Sequence, residues 1–259
     1  MKLKFCANIS LMYTKEATSL LDRYALAKSF GFKAVECAFP YDFTKEEILA
    51  AKGDQMEQIL INTDPGSCLG FAALVGKEDE FLSSLKKSLE YCQTLECRKL
   101  HIMSGKVSEG QAGSIQVLRS NLTQALPLLE SAGVVGLIEP INPHWVPGYF
   151  LSDFDMAANL VKEINHPHLK LQLDIFHLQY LKGNITNNVA KFASMAGHVQ
   201  IAQVPTRHEP NSPGENNYQF VLDVLEKSDY NDGWVGLEYI PKNGTNEGLS
   251  WIQDMGYTL

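Results

Sequence analysis

Short apolar runs alternate with longer amphipathic stretches from one end of the chain to the other. Apolar runs bounded by turn-forming residues predict strands, and apolar residues recurring every three or four positions predict helices. Eight strands are predicted, at residues 3–9, 34–39, 58–62, 99–103, 134–139, 169–174, 198–202 and 234–239. Helices are predicted at residues 18–30, 44–51, 78–95, 115–132, 153–164, 187–196 and 217–227, with a last helix from residue 247.

Strict alternation of strand and helix implies a parallel sheet with helical crossovers. Eight such units in 259 residues match a (β/α)8 TIM barrel, which takes about 250 residues. We therefore predict an α/β fold, a TIM barrel, as a single domain over residues 1–259. Thr44 is a candidate helix N-cap, and Gly31 and Gly133 are candidate C-caps. A doubly wound open sheet is the alternative, but no glycine-rich phosphate loop follows any predicted strand.

Charge and hydropathy restrict the partners that the chain can have. The formal net charge is −8 at pH 7, whereas binding a phosphate backbone requires clustered Lys and Arg, so we predict no nucleic-acid partner. No apolar run is long enough to span a membrane, and polar residues interrupt the first apolar stretch, unlike that of a signal peptide. We therefore predict no membrane association and a cytoplasmic location, where the five cysteines stay reduced. Oligomeric state is not predicted.

Three carboxylates stand at predicted carboxyl ends of strands, where TIM barrels carry their chemistry. Glu139, Asp174 and Glu238 each end an apolar run. Three carboxylates in one space of low dielectric constant repel each other, so they must share protons or a cation. Oxygen-rich ligation suits Mg²⁺ or Mn²⁺ better than Zn²⁺. The pattern therefore predicts a divalent metal site.

Other polar residues near strand ends have two interpretations. Glu36 and Asn62 could contact a substrate or bond only to loop backbone, and His101 could contact a substrate or be a satisfied interior histidine. We include Asn62 and His101 among the candidate substrate contacts. His198 and Gln200 share one strand, and we expect only Gln200 to face the barrel interior.

Arg207 is the candidate for binding an anionic substrate. It lies in the loop after the seventh predicted strand, and a guanidinium group matches a carboxylate through two parallel hydrogen bonds. The alternative interpretation is a salt bridge to Glu209 or Glu215, which lie close by in sequence.

Six segments at these strand ends form a recognisable set. They are Leu-Ile-Glu-Pro-Ile-Asn (137–142), Leu-Asp-Ile-Phe-His (173–177), His-Val-Gln-Ile-Ala (198–202), Arg-His-Glu-Pro (207–210), Gly-Glu-Asn-Asn-Tyr (214–218) and Gly-Trp-Val-Gly-Leu-Glu-Tyr (233–239). Together they resemble the hydroxypyruvate isomerase family of xylose isomerase-like TIM barrels, and the likeness extends over almost the whole chain. The segments are specific in combination, although none is decisive alone.

The resemblance implies roles for individual residues. Glu139 and Glu238 match the family's catalytic pair, and Asp174 and Gln200 match positions that join them around a metal ion. His177 follows the strand-six aspartate and is a candidate for contacting the substrate. Gln200 stands where related sugar epimerases have histidine, and an amide oxygen is a weaker ligand than imidazole, so the requirement for a metal stays open.

The activity implied by the resemblance is isomerisation of a small anionic hydroxy-keto acid. Hydroxypyruvate and tartronate semialdehyde (2-hydroxy-3-oxopropanoate) would interconvert through an enediolate. Isomerases of 2-oxo-tetronate are the main alternative, since they resemble the chain at residues 61–66, 101–103 and 207–210, and a keto-sugar epimerase is a related one. A phosphodiesterase of the endonuclease IV type would need many histidines and a basic groove. A non-enzymatic binding protein on a retired barrel would not need the full set of carboxylates.

Overall fold

The computed structural model describes residues 2–108, 110 and 112–259. Within them, parallel strands pair in chain order and the last pairs with the first, which closes a barrel. The strands are β1 (Lys4–Asn8), β2 (Ala34–Glu36), β3 (Glu57–Asn62), β4 (Lys99–His101), β5 (Val135–Ile138), β6 (Leu169–Asp174), β7 (Ala196–Ile201) and β8 (Trp234–Leu237). Each overlaps a predicted strand, and the predicted (β/α)8 TIM barrel is confirmed.

Helices connect successive strands. They are α1 (Leu20–Phe30), α2 (Lys45–Lys52), α3 (Glu78–Leu95), α4 (Ile115–Ala132), α5 (Phe154–Ile164), α6 (Ile175–Leu181), α7 (Ile185–Phe192), α8 (Tyr218–Glu226) and α9 (Ser250–Asp254). The sequence pattern did not predict α6, because apolar residues run on from β6 into it with no intervening turn signal. None of the described helices combines the length and the apolarity needed to cross a lipid bilayer.

The predicted helix caps are present and set where the helices begin and end. The Thr44 hydroxyl accepts from the backbone N–H of Glu47 at 3.2 Å, and the Glu47 carboxylate accepts from the backbone N–H of Thr44 at 2.8 Å. This reciprocal pair is a capping box at the start of α2. Gly31 and Gly133 end α1 and α4 in the left-handed conformation that favours glycine, with φ of 114° and 64°.

A polar layer crosses the otherwise apolar barrel interior. Glu36, Gln172, His198 and Gln200 are all buried. The expectation that only Gln200 of β7 faces the interior is wrong, because both His198 and Gln200 hydrogen-bond to Glu36 on the far side of the barrel. Residues two apart on a strand point to the same face, so the two side chains necessarily lie on one side of β7.

Candidate active site

Three carboxyl groups meet at the carboxyl ends of β5, β6 and β8. Asp174 is the last residue of β6, while Glu139 and Glu238 directly follow β5 and β8. Their side chains are 1%, 5% and 17% exposed for Asp174, Glu139 and Glu238, respectively. One guanidinium nitrogen of Arg207 lies within 4 Å of both the Asp174 and the Glu238 carboxyl groups. The structure thus brings together the three acids that follow apolar runs in the sequence.

Burial and mutual repulsion raise the pKa of all three acids. Burial raises the pKa of Glu139 well above its ordinary value, and the charges of Glu238 and Asp174 raise it further. Burial raises the pKa of Asp174 to about 6 against the opposing charge of Arg207. Burial likewise raises the pKa of Glu238 to about 8, again opposed by Arg207. Near neutral pH the cluster therefore keeps protons that exposed carboxylates have lost.

Arg207 supplies positive charge to this cluster. Its Nη2 lies 2.5 Å from Glu238 Oε2 and 3.7 Å from Asp174 Oδ2. Its guanidinium carbon lies 4.9 Å from the centre of the Phe176 ring and 5.4 Å from that of Trp145. Cations are attracted to aromatic faces at such distances. The two rings therefore hold the guanidinium group at the entrance to the acid cluster.

The loop after β7 holds Arg207 in place. The amide nitrogen of Gln203 donates to three backbone carbonyls of this loop, and its oxygen accepts from two backbone N–H groups. Arg207 has a φ of 56°, a left-handed conformation that is uncommon outside glycine. The alternative salt bridge of Arg207 to Glu209 or Glu215 does not form. Glu209 accepts instead from the backbone of residue 242, and Glu215 accepts from a glutamine of α6.

His177 faces the acids as a neutral hydrogen-bond donor. Its Nδ1 lies 3.3 Å from the backbone nitrogen of Asn142 and 2.7 Å from the side-chain nitrogen of the same residue. A backbone N–H can only donate, so Nδ1 accepts and Nε2 carries the ring proton. Burial lowers the pKa of His177 well below its ordinary value. The Nε2 nitrogen, which carries this proton, lies 3.5 Å from Asp174 Oδ2 and 3.9 Å from Glu139 Oε1.

Several buried polar atoms at this site have no hydrogen-bond partner. Apart from the Tyr13 hydroxyl, all such side-chain atoms among the described residues belong to His101, Glu139, Gln172 and Asp174. The His101 Nδ1 lies 3.4 Å from Glu139 Oε2 without the alignment of a hydrogen bond. Burial lowers the pKa of His101 to about 3. Interiors rarely leave polar atoms unpaired, so His101 is not the satisfied interior histidine of the alternative interpretation, and the arrangement indicates a polar ligand.

Gln200 is buried in the barrel interior, whereas Asn62 is partly exposed. Gln200 Oε1 accepts from Gln172 Nε2 at 2.6 Å, and Gln200 Nε2 donates to Glu36 Oε1 at 2.7 Å. Gln172 Nε2 also donates to Glu139 Oε2 at 3.0 Å. Metal ligation by Gln200 stays a prediction, and it requires the Gln200 oxygen to leave or share its bond with Gln172. Asn62 ends β3 at a partly exposed position, and its contact with a substrate also stays a prediction.

The donor set suits a divalent cation that prefers oxygen. Glu139 Oε1 and Asp174 Oδ2 are buried and unpaired, and Glu238 shares with Asp174 the contact to Arg207 Nη2. His177 Nε2 lies within 4.8 Å of oxygens of Glu139 and Asp174, but its proton makes it a donor rather than a ligand. Carboxylates alone fit Mg²⁺ or Mn²⁺ better than Zn²⁺.

A sequence profile of the xylose isomerase-like TIM barrel family matches residues 24–255. This match spans most of the chain and includes all three acids. The chain belongs to the xylose isomerase-like TIM barrel family.

Relatives of this xylose isomerase-like barrel match it over nearly their full lengths. A putative hydroxypyruvate isomerase of Danio rerio is 42% identical, over 97% of this chain and 95% of the relative. A 2-oxo-tetronate isomerase of Cupriavidus necator is 37% identical, over 96% of this chain and 97% of the relative. The crystal structure of a protein named AP endonuclease, family 2, from Brucella melitensis is 38% identical with a TM-score of 0.88, covering 97% of this chain and 98% of that one. The resemblance seen in the sequence is confirmed.

Three side chains of this xylose isomerase-like barrel contact the site residues, although the sequence pattern did not predict them as site residues. Gln172 bonds to Glu139, Gln203 holds the Arg207 loop, and Trp145 covers Arg207. The alternation of β6 is a usable signal for Gln172, because it lies two residues before Asp174 and so shares its face. No comparable signal exists for Gln203 or Trp145, whose positions follow from loop geometry.

Proposed function

We propose that this xylose isomerase-like barrel interconverts hydroxypyruvate and tartronate semialdehyde, as an aldose–ketose type isomerase. The observation that carries the proposal is the cluster of Glu139, Asp174 and Glu238, where buried acids with raised pKa values lie together and oxygens of Glu139 and Asp174 are unpaired. Moving a proton between neighbouring carbons requires such a pair of acid–base groups. The substrate class is supported by the relative named putative hydroxypyruvate isomerase.

In the proposed reaction a proton leaves C3 of hydroxypyruvate and a proton returns at C2, while the hydroxyl proton moves from the C3 oxygen to the C2 oxygen. The intermediate is an enediolate. One of Glu139 and Glu238 removes the C3 proton as a carboxylate, and the other delivers a proton to C2 as an acid. Their raised pKa values suit this exchange, because general acid–base catalysis is most efficient when the pKa of the group lies near the working pH.

Other side chains bind and orient the substrate in this proposal. The Nε2–H of His177 donates to the oxygen on which negative charge develops. Arg207 binds the substrate carboxylate through two parallel hydrogen bonds, for which it exchanges part of its contact with Glu238. His101 has two unpaired ring nitrogens for the substrate hydroxyl and carbonyl groups, and Asn62 completes the substrate contacts.

We propose Mg²⁺ or Mn²⁺ as the cofactor, held by Glu139, Asp174 and Glu238, with the Gln200 oxygen as a fourth ligand that also keeps its hydrogen bond from Gln172. The support is the set of unpaired, buried carboxylate oxygens, for which a cation is the natural partner. When bound, such an ion would supply Lewis-acid stabilisation of the enediolate oxygens.

Proton NMR in D2O tests the reaction, its substrate and the need for a metal together. Wild-type protein is incubated with hydroxypyruvate, with 2-oxo-tetronate and with free ketohexoses, each with and without chelator. We expect hydroxypyruvate to exchange its C3 hydrogens with solvent fastest, and chelation to slow the exchange. Faster exchange on 2-oxo-tetronate would instead favour the activity named for the Cupriavidus necator relative.

Two further outcomes would replace the proposal. If none of the keto acids exchanged hydrogens with solvent, with or without added Mg²⁺ or Mn²⁺, the chain would be a non-enzymatic binding protein with a TIM-barrel fold. Cleavage of duplex DNA at an abasic site would match the name of the Brucella melitensis protein. We expect no cleavage, because the net charge is −8 and nucleic-acid surfaces are basic.

A further inference from the structure

Glu36 lies one layer below the acid cluster and is completely buried. It ends β2 on the inner side of the barrel. Its carboxylate receives hydrogen bonds from Asn8 Nδ2 at 2.9 Å, from Gln200 Nε2 at 2.7 Å and from His198 Nε2 at 2.6 Å. The Cys6 thiol adds a weaker contact at 3.5 Å. Every neighbour donates, so the carboxylate is held as an anion.

His198 is fixed as the donor to Glu36 by Lys99. The Lys99 ammonium group lies 3.4 Å from His198 Nδ1 and 2.5 Å from Asp232 Oδ1. An ammonium group only donates, so Nδ1 accepts and Nε2 carries the ring proton. Burial lowers the pKa of His198, and the charge of Lys99 lowers it further. Burial alone would raise the pKa of Glu36, but the charge of His198 and the hydrogen bonds from His198 and the two amides hold it below the ordinary value.

Two arms of hydrogen bonds lead from Glu36 up to the proposed catalytic pair. In the first arm, Asn8 Nδ2 donates to Glu36 at 2.9 Å and to Glu238 Oε1 at 3.3 Å. In the second arm, Gln200 donates to Glu36 and accepts from Gln172, which donates to Glu139. One buried carboxylate therefore orients the amide groups that touch both glutamates.

The opposite strand leaves room for this carboxylate. Gly236 of β8 lies beside Cys6 on β1 and beside Gln200 on β7 in the strand register. A Cβ atom at Gly236 would clash with both oxygens of Glu36. A residue with any side chain at this position would push Glu36 away from its donors. The position of Glu36 therefore depends on three other strands: β1 and β7 carry its donors, and β8 leaves the space.

We infer that Glu36 is a positioning residue that sets the orientation of both Glu139 and Glu238 through the Asn8 arm and the Gln200–Gln172 arm. The inference rests on the proposed function, in which these two glutamates exchange protons with the substrate. Glu36 touches neither substrate nor reacting atoms, so it acts on turnover rather than on binding. Loss of partners that orient a reactive group costs about 10- to 100-fold in activity.

Glu36→Gln is the decisive variant because it keeps the shape and replaces an acceptor by a donor. Asn8 and Gln200 both donate to Glu36 Oε1, whereas His198 and Cys6 donate to Oε2. The nitrogen of the new amide therefore either breaks both arms at Oε1 or removes the bond from His198 that fixes the group at Oε2. We expect kcat to fall about 10- to 100-fold while KM changes less than about threefold. Cys6→Ala is the matched control, since it removes a neighbour of Glu36 outside both arms, and kcat should stay within about twofold.

A double-mutant cycle separates positioning from general damage. Gln172→Ala cuts the arm to Glu139 beyond Glu36. If Glu36 acts through this arm, the double variant Glu36→Gln/Gln172→Ala should lose much less than the product of the two single losses in kcat, because both changes break one path. Fully multiplicative losses would overturn the role of the Gln200–Gln172 arm.

Stability is measured beside turnover. A Glu36→Gln protein whose melting temperature falls while its kcat per folded molecule stays at the wild-type value would overturn the inference and leave Glu36 a purely structural residue. Should this variant fail to fold, Glu36→Asp serves instead, because it keeps the charge but withdraws it from the oxygen position at which both arms meet.

Failure of the proposed function gives a different result from failure of this inference. If wild-type protein exchanges protons on no keto acid, the proposed function fails, and crystal structures of Glu36→Gln and Cys6→Ala decide the positioning. Displaced carboxyls of Glu139 and Glu238 in Glu36→Gln, but not in Cys6→Ala, would support it. Unmoved carboxyls in both variants would overturn it.

Discussion

Two layers of acids cross this barrel and differ in how completely they are hydrogen-bonded. In the lower layer Glu36 is surrounded by donors, and its pKa is held down although it is fully buried. In the upper layer Glu139 and Asp174 keep oxygens without partners, and their pKa values are raised. The chemical group and the burial are alike, so the donors make the difference. A saturated carboxylate is fixed in charge, whereas an unsaturated one can exchange a proton or bind a cation.

The largest expected effect is in the upper layer. Glu139→Gln and Glu238→Gln should each reduce solvent-proton exchange into the substrate by about a thousandfold, since general acid–base groups contribute about 10²- to 10⁴-fold. The melting temperature should stay the same or rise, because one repelling acid is removed. NMR exchange rates and thermal melts measure both, with the exposed Glu163→Gln as control. Near wild-type turnover in either variant would show that the two-glutamate scheme is wrong.

Arg207 tests whether the upper layer recognises an anion. Arg207→Ala should raise KM for hydroxypyruvate about 10- to 100-fold, because a carboxylate loses its bidentate partner. The KM of Arg207→Lys should lie between the values of the wild type and of Arg207→Ala, because lysine keeps the charge but cannot form two parallel hydrogen bonds. Steady-state kinetics measure this, and Arg119→Ala, on the exposed surface, is the control. An unchanged KM in Arg207→Ala would assign the arginine to charge balance alone.

Substitutions of Asn142 test whether His177 acts as a hydrogen-bond donor in the upper layer. Asn142→Asp presents an acceptor to His177 Nδ1, which draws the ring proton away from Nε2. Turnover should fall about tenfold, and less in Asn142→Ala, if the Nε2–H stabilises the developing oxyanion. Nitrogen NMR of the imidazole ring reports the tautomer beside the kinetics. A changed tautomer with unchanged turnover would remove His177 from the mechanism.

The smallest expected effect is on stability. The folded-state pKa values of Asp174 and Glu238, about 6 and about 8, exceed those of the unfolded chain. At these two groups the folded protein then binds more protons, so the stability that they contribute is fully present at low pH and is lost as pH rises through these values. The melting temperature of chelator-treated protein should therefore fall by several degrees between pH 5 and pH 8. Mg²⁺ or Mn²⁺ should reduce the slope, and so should Glu238→Gln, whereas Glu163→Gln should leave it unchanged.

Sequence alone was sufficient for the barrel and for the meeting of its acids, because β/α alternation puts all carboxyl strand ends on one face. It was not sufficient for hydrogen-bond partners. Glu36 and His198 lie 162 residues apart, and their contact depends on the register of the closed barrel, which no local pattern encodes. The same holds for the tautomer of His177, which a backbone N–H of another strand's loop decides. Helix α6 was missed because Asp174 serves as both strand end and helix cap.

The missing side chain at Gly236 has a consequence for how such chains can diverge. A methyl group there would lie within 2.5 Å of both Glu36 carboxylate oxygens, so enlarging residue 236 displaces an acid at residue 36 from its donors. The two positions are expected to vary together across homologous chains, although they lie at opposite ends of the sequence. A larger residue 236 therefore calls for a shorter residue 36.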